Sequence, residues 1–195
     1  MQIIKNERDF FTSLFNSLED IDPHWMGYNG AIIMGSHSPD KIGEKIELIK
    51  HARENKMPIL GICLGMQLMV VEFAKNVLGW WGADSQEINP SANPAVVVKL
   101  PKLRVGIFDV DKRKESHWHN YKIEDGVADL LGVYFNVLST WELNDYGKIV
   151  EEIKMKNHPY FVGVQYHPEY QSSKENPHPV LVEFINACKK APKFL

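Results

Sequence analysis

Pro58-Ile59-Leu60-Gly61-Ile62-Cys63-Leu64-Gly65-Met66-Gln67-Leu68-Met69-Val70-Val71 is the stretch whose reading decides the fold. An apolar run from Met57 to Ile62 stops at Cys63, and a second apolar run with helical spacing follows. Gly61 and Gly65 stand two residues to either side of the cysteine. Gly-x-Cys-x-Gly between a strand and a helix is the pattern of a nucleophile elbow: strand, sharp strained turn, helix. Glycine keeps Cβ atoms out of a bend where two backbones approach closely. A thiol at the start of the helix lies where the peptide dipoles favour its ionised form. The plainer alternative is a buried core cysteine, a common fate of that residue.

Outward from the elbow, the chain alternates between strands and helices. Glu7 to Leu18 places Phe10, Phe11, Leu14, Phe15 and Leu18 at helical spacing. Met1 to Lys5 reads as a short strand, and Tyr28 to Gly35 as a buried strand ending in the loop Ser36-His37-Ser38-Pro39-Asp40. Ile42 to Asn55 is a helix with Ile46, Ile49 and Ala52 on one face, followed by the elbow strand and the helix Leu64 to Val77. Gly79 to Pro94 is a turn-rich loop. Ala95–Leu100, Val105–Val110, Tyr134–Trp141, Ile149–Met155 and Tyr160–Tyr166 read as strands, some in antiparallel pairs, and Val180–Cys188 as a closing helix. The expected fold class is α/β, a mostly parallel open sheet flanked by helices with a small antiparallel addition. The expected organisation is one domain over residues 1–195. Ligands of such sheets bind at the carboxyl ends of strands, where Gly35, Ser36 and Cys63 fall.

Composition narrows the class. The chain has 195 residues, 44% of them hydrophobic, a net charge of −3 and scattered basic residues, which argues against a nucleic-acid surface. No apolar run reaches membrane-spanning length, and no basic, apolar, small-residue leader opens the sequence. Two cysteines, Cys63 and Cys188, do not make a disulfide framework. These features suit a cytoplasmic protein. Cys188 falls on the core face of the last helix.

The second chemical feature closes the last long strand: Gln165-Tyr166-His167-Pro168-Glu169. A nucleophilic thiol needs a base, and the base needs an acceptor to orient it. His167 can take the thiol proton and return it to a leaving amine. Glu169, two residues on and held by Pro168, can orient the imidazole and stabilise its charged form. Alone, His-Pro-Glu also reads as a surface pair, and the elbow cysteine is what gives it weight. His117-x-His119 puts two rings on one strand face, yet no further ligand cluster accompanies them, and no metal or cofactor is expected. Trp80, Trp81 and Trp118 have two readings, the lining of a ligand pocket or aromatic packing beneath the long loop, and the second is the expectation.

Gly61-Ile62-Cys63-Leu64-Gly65-Met66-Gln67 together with Gln165-Tyr166-His167-Pro168-Glu169 resembles the class I glutamine amidotransferases, and among them the glutaminase domain of CTP synthase. Asp84-Ser85-Gln86-Glu87, Asn157 to Tyr170 and His178-Pro179 carry the likeness further. The resemblance implies a flavodoxin-like sheet and a triad of Cys63, His167 and Glu169 acting through a thioester. It implies an oxyanion N–H at Leu64, a place for Gln67 in the glutamine pocket, and Glu87 on the substrate's α-amino group. Glu87 otherwise reads as a solvated loop acid.

Three departures accompany it. The family's Pro-Gly-Gly-Phe-Gly oxyanion stretch is here Met34-Gly35-Ser36-His37-Ser38, with Gly35 and Ser36 as the remaining N–H donors. The family's arginine-rich segment is here Glu115-Ser116-His117-Trp118-His119-Asn120-Tyr121. Asn120 and Tyr121 thus stand at the binding position without a cation, a loss worth about 1.5–3 kcal/mol to a bound carboxylate. The chain also begins at the family's second strand, so the first strand and helix, like the synthetase domain, are expected to be missing. Three functions follow: a glutaminase delivering ammonia to a partner synthetase or ligase, a stand-alone hydrolase of γ-glutamyl amides, or a non-catalytic binding module.

Overall fold

The computed structural model describes residues 7–35, 40–142 and 146–192. The strand read at Met1 to Lys5 and the loop residue Ser36 lie outside those residues. The elements run α1 (Glu7–Ile21), β1 (Ala31–Ile33), α2 (Ile42–Glu54), β2 (Ile59–Ile62), α3 (Leu64–Asn76), β3 (Asp84–Ser85), β4 (Ala95–Val110), β5 (Arg113–Ile123), α4 (Asp125–Tyr134), β6 (Phe135–Glu142), β7 (Gly147–Met155), β8 (Phe161–Val164) and α5 (Pro179–Lys190).

A five-stranded sheet in the order β1-β2-β8-β7-β6 forms the centre. It is parallel across β1, β2 and β8, and antiparallel where β7 and β6 join. Period-two alternation divides β2 and β8 between two cores. Ile59 and Phe161 pack with α2, α3 and α4, while Leu60, Ile62, Val162 and Val164 pack with α1 and α5. β2 and β8 are buried on both faces, which is why they read as unbroken apolar runs. α3 is buried along nearly its whole length, from Leu64 to Ala74. It packs on β1, β2 and β8 and on the second sheet, β3-β4-β5, which flanks it.

Several expectations change in the structure. The strand read over Tyr28 to Gly35 shrinks to Ala31–Ile33. Ala95–Leu100 and Val105–Val110 are one continuous strand, whose register with β5 shifts between Lys99 and Arg104. The long ribbon that results is anchored by the cross-strand pairs Val97–Ile123 and Arg104–His119. The helix at Asp125–Tyr134 has no counterpart among the sequence expectations. Gly126 and Gly132 lower its helix propensity, and the cap is what starts it: Glu124 accepts from the Val127 N–H at 3.0 Å. In α1, Leu14 and Leu18 are buried but Phe11 is exposed. Trp81, expected to pack beneath its loop, is 83% exposed, while Trp80 packs against the core. Among the described residues, no helix is long and apolar enough to cross a membrane.

Candidate active site

Cys63 caps α3 with φ 54° and ψ −109°, a backbone conformation that L-residues rarely adopt. Close packing holds it there. A Cβ on Gly65 would stand 2.0 Å from the Ile33 carbonyl oxygen, and one on Gly61 would stand 2.7 Å from the Gly65 backbone. Only bare Cα atoms let β1, β2 and α3 approach this closely. The Cys63 N–H donates to the Val164 carbonyl at 2.7 Å, which ties the elbow to the end of β8.

The chain leaving β8 brings the second group. His167 donates its N–H to the Ser116 carbonyl at 2.8 Å, and its ring Nδ1 lies 2.8 Å from Glu169 Oε1. Ser17 in α1 donates to the Glu169 carbonyl at 3.2 Å and fixes the short turn that follows. His167 and Glu169 are both buried. Burial works against a charged imidazole, but the Glu169 carboxylate and the pairing with Cys63 outweigh it and raise the His167 pKa to about 10.

Cys63 and His167, far apart in sequence, line one cavity of about 80 Å³. A Cβ built on Gly35 would lie 3.0 Å from His167 Cε1 and 3.3 Å from Cys63 Cβ, so the end of β1 presses against both. Leu64 and Gln67 line the same cavity from the first turn of α3, and Glu87, Asn120 and Tyr121 from the flanking sheet and its loop. Nearly the whole set read from the sequence is thereby brought together; Ser36 falls outside the described residues. A larger apolar groove of about 420 Å³, lined from α1, β1 and α5, holds none of these residues.

Four further residues reach the site beyond those assigned to it from the sequence. Leu103, Trp118 and His119 also line the cavity, so Trp118 takes the pocket-lining alternative rather than loop packing. Gln165 donates to the Cys63 sulfur at 3.6 Å and accepts from Gln67 Nε2 at 3.2 Å. Its spacing of two from His167 at a strand end was the available signal. The sulfur in turn donates to the Trp118 carbonyl at 3.6 Å.

Behind the cavity lies a buried polar cluster. Arg104 donates to Glu151 at 3.0 Å and its Nη1 lies 3.3 Å from His119 Nε2, while His117 Nε2 lies 2.8 Å from the other Glu151 oxygen. His119 Nδ1 faces the Tyr121 carbonyl at 2.8 Å. Burial, with His117 beside it, lowers the His119 pKa to about 3, so this ring is neutral. The ring nitrogens of the His117-x-His119 pair are thus engaged by protein groups. No cluster of three metal-ligating side chains occurs among the described residues. Glu87 behaves differently. Burial raises its pKa, and no cation pairs with it among the described residues.

A Cys-His-carboxylate constellation at an elbow on an α/β sheet is the equipment of an amide-cleaving thiol enzyme. The sequence matches the family model "Glutamine amidotransferase class-I" over residues 6–187, and the chain belongs to that family. CTP synthase from Clostridium perfringens strain SM101 is 36% identical over an alignment covering 87% of this chain and 36% of that protein. CTP synthase from Christiangramia forsetii is 38% identical, with 82% and 33% covered. The chain therefore spans about a third of the length of the curated relatives it matches. Among solved structures, the glutaminase domain of Trypanosoma brucei CTPS with bound acivicin superposes with a TM-score of 0.82 at 21% identity, covering 99% of this chain and 93% of that one. The α/β architecture is thus that of the glutaminase domain.

Proposed function

We propose that the protein hydrolyses the γ-carboxamide of a glutaminyl group, glutamine being the simplest carrier, through a thioester on Cys63. The observation that carries this reading is His167, which shares the cavity with Cys63 and holds Glu169 at 2.8 Å. His167 holds the proton given up by the thiol while the sulfur attacks the γ-carbonyl. The S–C bond forms, and N–H groups at Leu64 and Gly35 face the developing oxyanion. The C–N bond breaks as His167 returns its proton to the departing ammonia. Water then attacks the thioester, again with His167 as base, the C–S bond breaks, and the γ-carboxylate leaves. The raised His167 pKa suits a base that holds the proton until the leaving nitrogen needs it.

The ammonia would pass to a synthetase or ligase, since the chain covers 36% of a relative that is called a CTP synthase. The whole of residues 1–195 would act as one unit. Free, buried Cys63 and Cys188 suit a reducing compartment such as the cytoplasm. The test is ammonia release from glutamine together with mass spectrometry after incubation with an electrophilic glutamine analogue. One adduct on Cys63, absent in Cys63→Ala, is expected. Hydrolysis retained by pure Cys63→Ala protein would dispose of the reading.

A further inference from the structure

The cavity beside Cys63 is supplied with acceptors and poor in positive charge. Gln67 is 1% exposed; its Nε2 donates to the Tyr121 carbonyl at 3.3 Å and to Gln165 at 3.2 Å. That fixes which end of the amide is oxygen, and this oxygen has no hydrogen-bond partner among the described residues. A buried acceptor left unmade is costly, and a ligand N–H would satisfy it. Glu87 adds a half-buried carboxylate on the same lining.

Against these acceptors the lining offers no free cation among the described residues. His167 is committed to Glu169 and the nucleophile. His119 is neutral, and both of its nitrogens face protein partners. Arg104 is fully buried and pairs with Glu151. Among the described lining residues Asn120 is the side chain with amide donors to spare, and it carries no charge. An amino acid brings an ammonium and a carboxylate together. The ammonium finds Glu87, whereas the carboxylate meets that same negative group with no uncommitted cation among the described residues to offset it.

We infer that the preferred substrate is a glutaminyl compound with a free α-amino group and a neutral, amide-linked α-carboxyl group, as at the amino end of a peptide, rather than free glutamine. Asn120 suits a neutral carbonyl, to which it can donate. The inference rests on the hydrolase reading for its chemistry but concerns only charge in the cavity, and it can be tested without turnover.

The experiment is calorimetric binding to Cys63→Ala protein of three probes: L-glutamine, L-glutamine α-(N-methylamide), and the N-acetyl derivative of that methylamide. Ammonia release by the unaltered protein from the first two provides the parallel measurement. The methylamide is expected to bind at least tenfold tighter than glutamine, and acetylation to weaken it at least tenfold. Asn120→Arg should reverse the preference between the first two. Any smaller ratio, absence of binding included, overturns the inference. Tenfold preference in binding with no ammonia released would instead sink the hydrolase reading alone. A Cys63 adduct with a glutamine analogue alongside preferred binding of free glutamine would sink this inference alone.

Discussion

Gln165 Nε2 donates to the sulfur of Cys63 at 3.6 Å while its Oε1 accepts from Gln67 at 3.2 Å, so one side chain links the nucleophile to the wall of the cavity. Gln165 stands two residues before His167, at the end of β8, and its backbone N–H is held by the Glu151 carbonyl at 2.9 Å. Sulfur and imidazole are therefore positioned by the same short piece of chain. Gln165→Leu removes both side-chain bonds and leaves neighbouring polar groups poorly satisfied. It should cost about 1–3 kcal/mol of stability, read from the urea midpoint. It should also lower kcat on the order of tenfold through misplacement of the sulfur. An unchanged midpoint and rate would mean that these contacts are incidental.

Glu169→Gln keeps the shape and removes the charge. Burial then prevails, and the His167 pKa should drop well below 10, as followed by NMR of the ring. With the wrong ring tautomer favoured, kcat should fall by about 10²–10⁴. In the unaltered protein the folded-state value lies above the ordinary 6.5, so the native state holds an extra proton between the two values. The stability this contributes is complete below about 6.5 and is lost as pH rises toward about 10. Urea midpoints taken across that window should decline in the parent protein and much less in Glu169→Gln. Equal slopes would argue against the coupling.

Gly65→Ala should destabilise the fold by about 1–3 kcal/mol or more, because the added carbon meets the Ile33 carbonyl oxygen, which is backbone and cannot swing aside. Gly43→Ala, in α2 with no atom of the described residues within 4 Å of the added carbon, is the control and should be neutral or slightly stabilising. Thermal melts of the two variants decide the matter. A Gly65→Ala melt equal to the parent's would show that the elbow has room to spare.

Arg104→Met should cost about 3–5 kcal/mol, since it strands the buried Glu151 carboxylate without its guanidinium. The exposed pair Lys114–Asp109, at 3.0 Å, is the contrast; Lys114→Ala should change stability by less than about 1 kcal/mol. Denaturant titrations at two salt concentrations separate the cases, because screening reaches the exposed pair and not the buried one. If both variants behaved alike, Arg104 would not be the anchor of that cluster.

Local pattern made much of this legible. The elbow glycines, the unbroken apolar runs of β2 and β8, and His167-Pro168-Glu169 each announce a backbone requirement or a chemical role within a few residues. Less legible was α4, where two glycines hide the helix and a single capping carboxylate starts it. Trp118 and His119 joined the cavity through the pairing of β5 with β4, a relation no short window contains.

By itself the sequence determined the alternating α/β order, the strained position of Cys63 and the residue types able to act on an amide, because those depend on neighbours along the chain. Only the tertiary structure decided that Cys63, His167, Glu87 and Gln67 share one cavity, and that Arg104 pairs with Glu151 behind it. Charge balance in a buried space depends on distances between distant segments, and only the folded chain sets those distances.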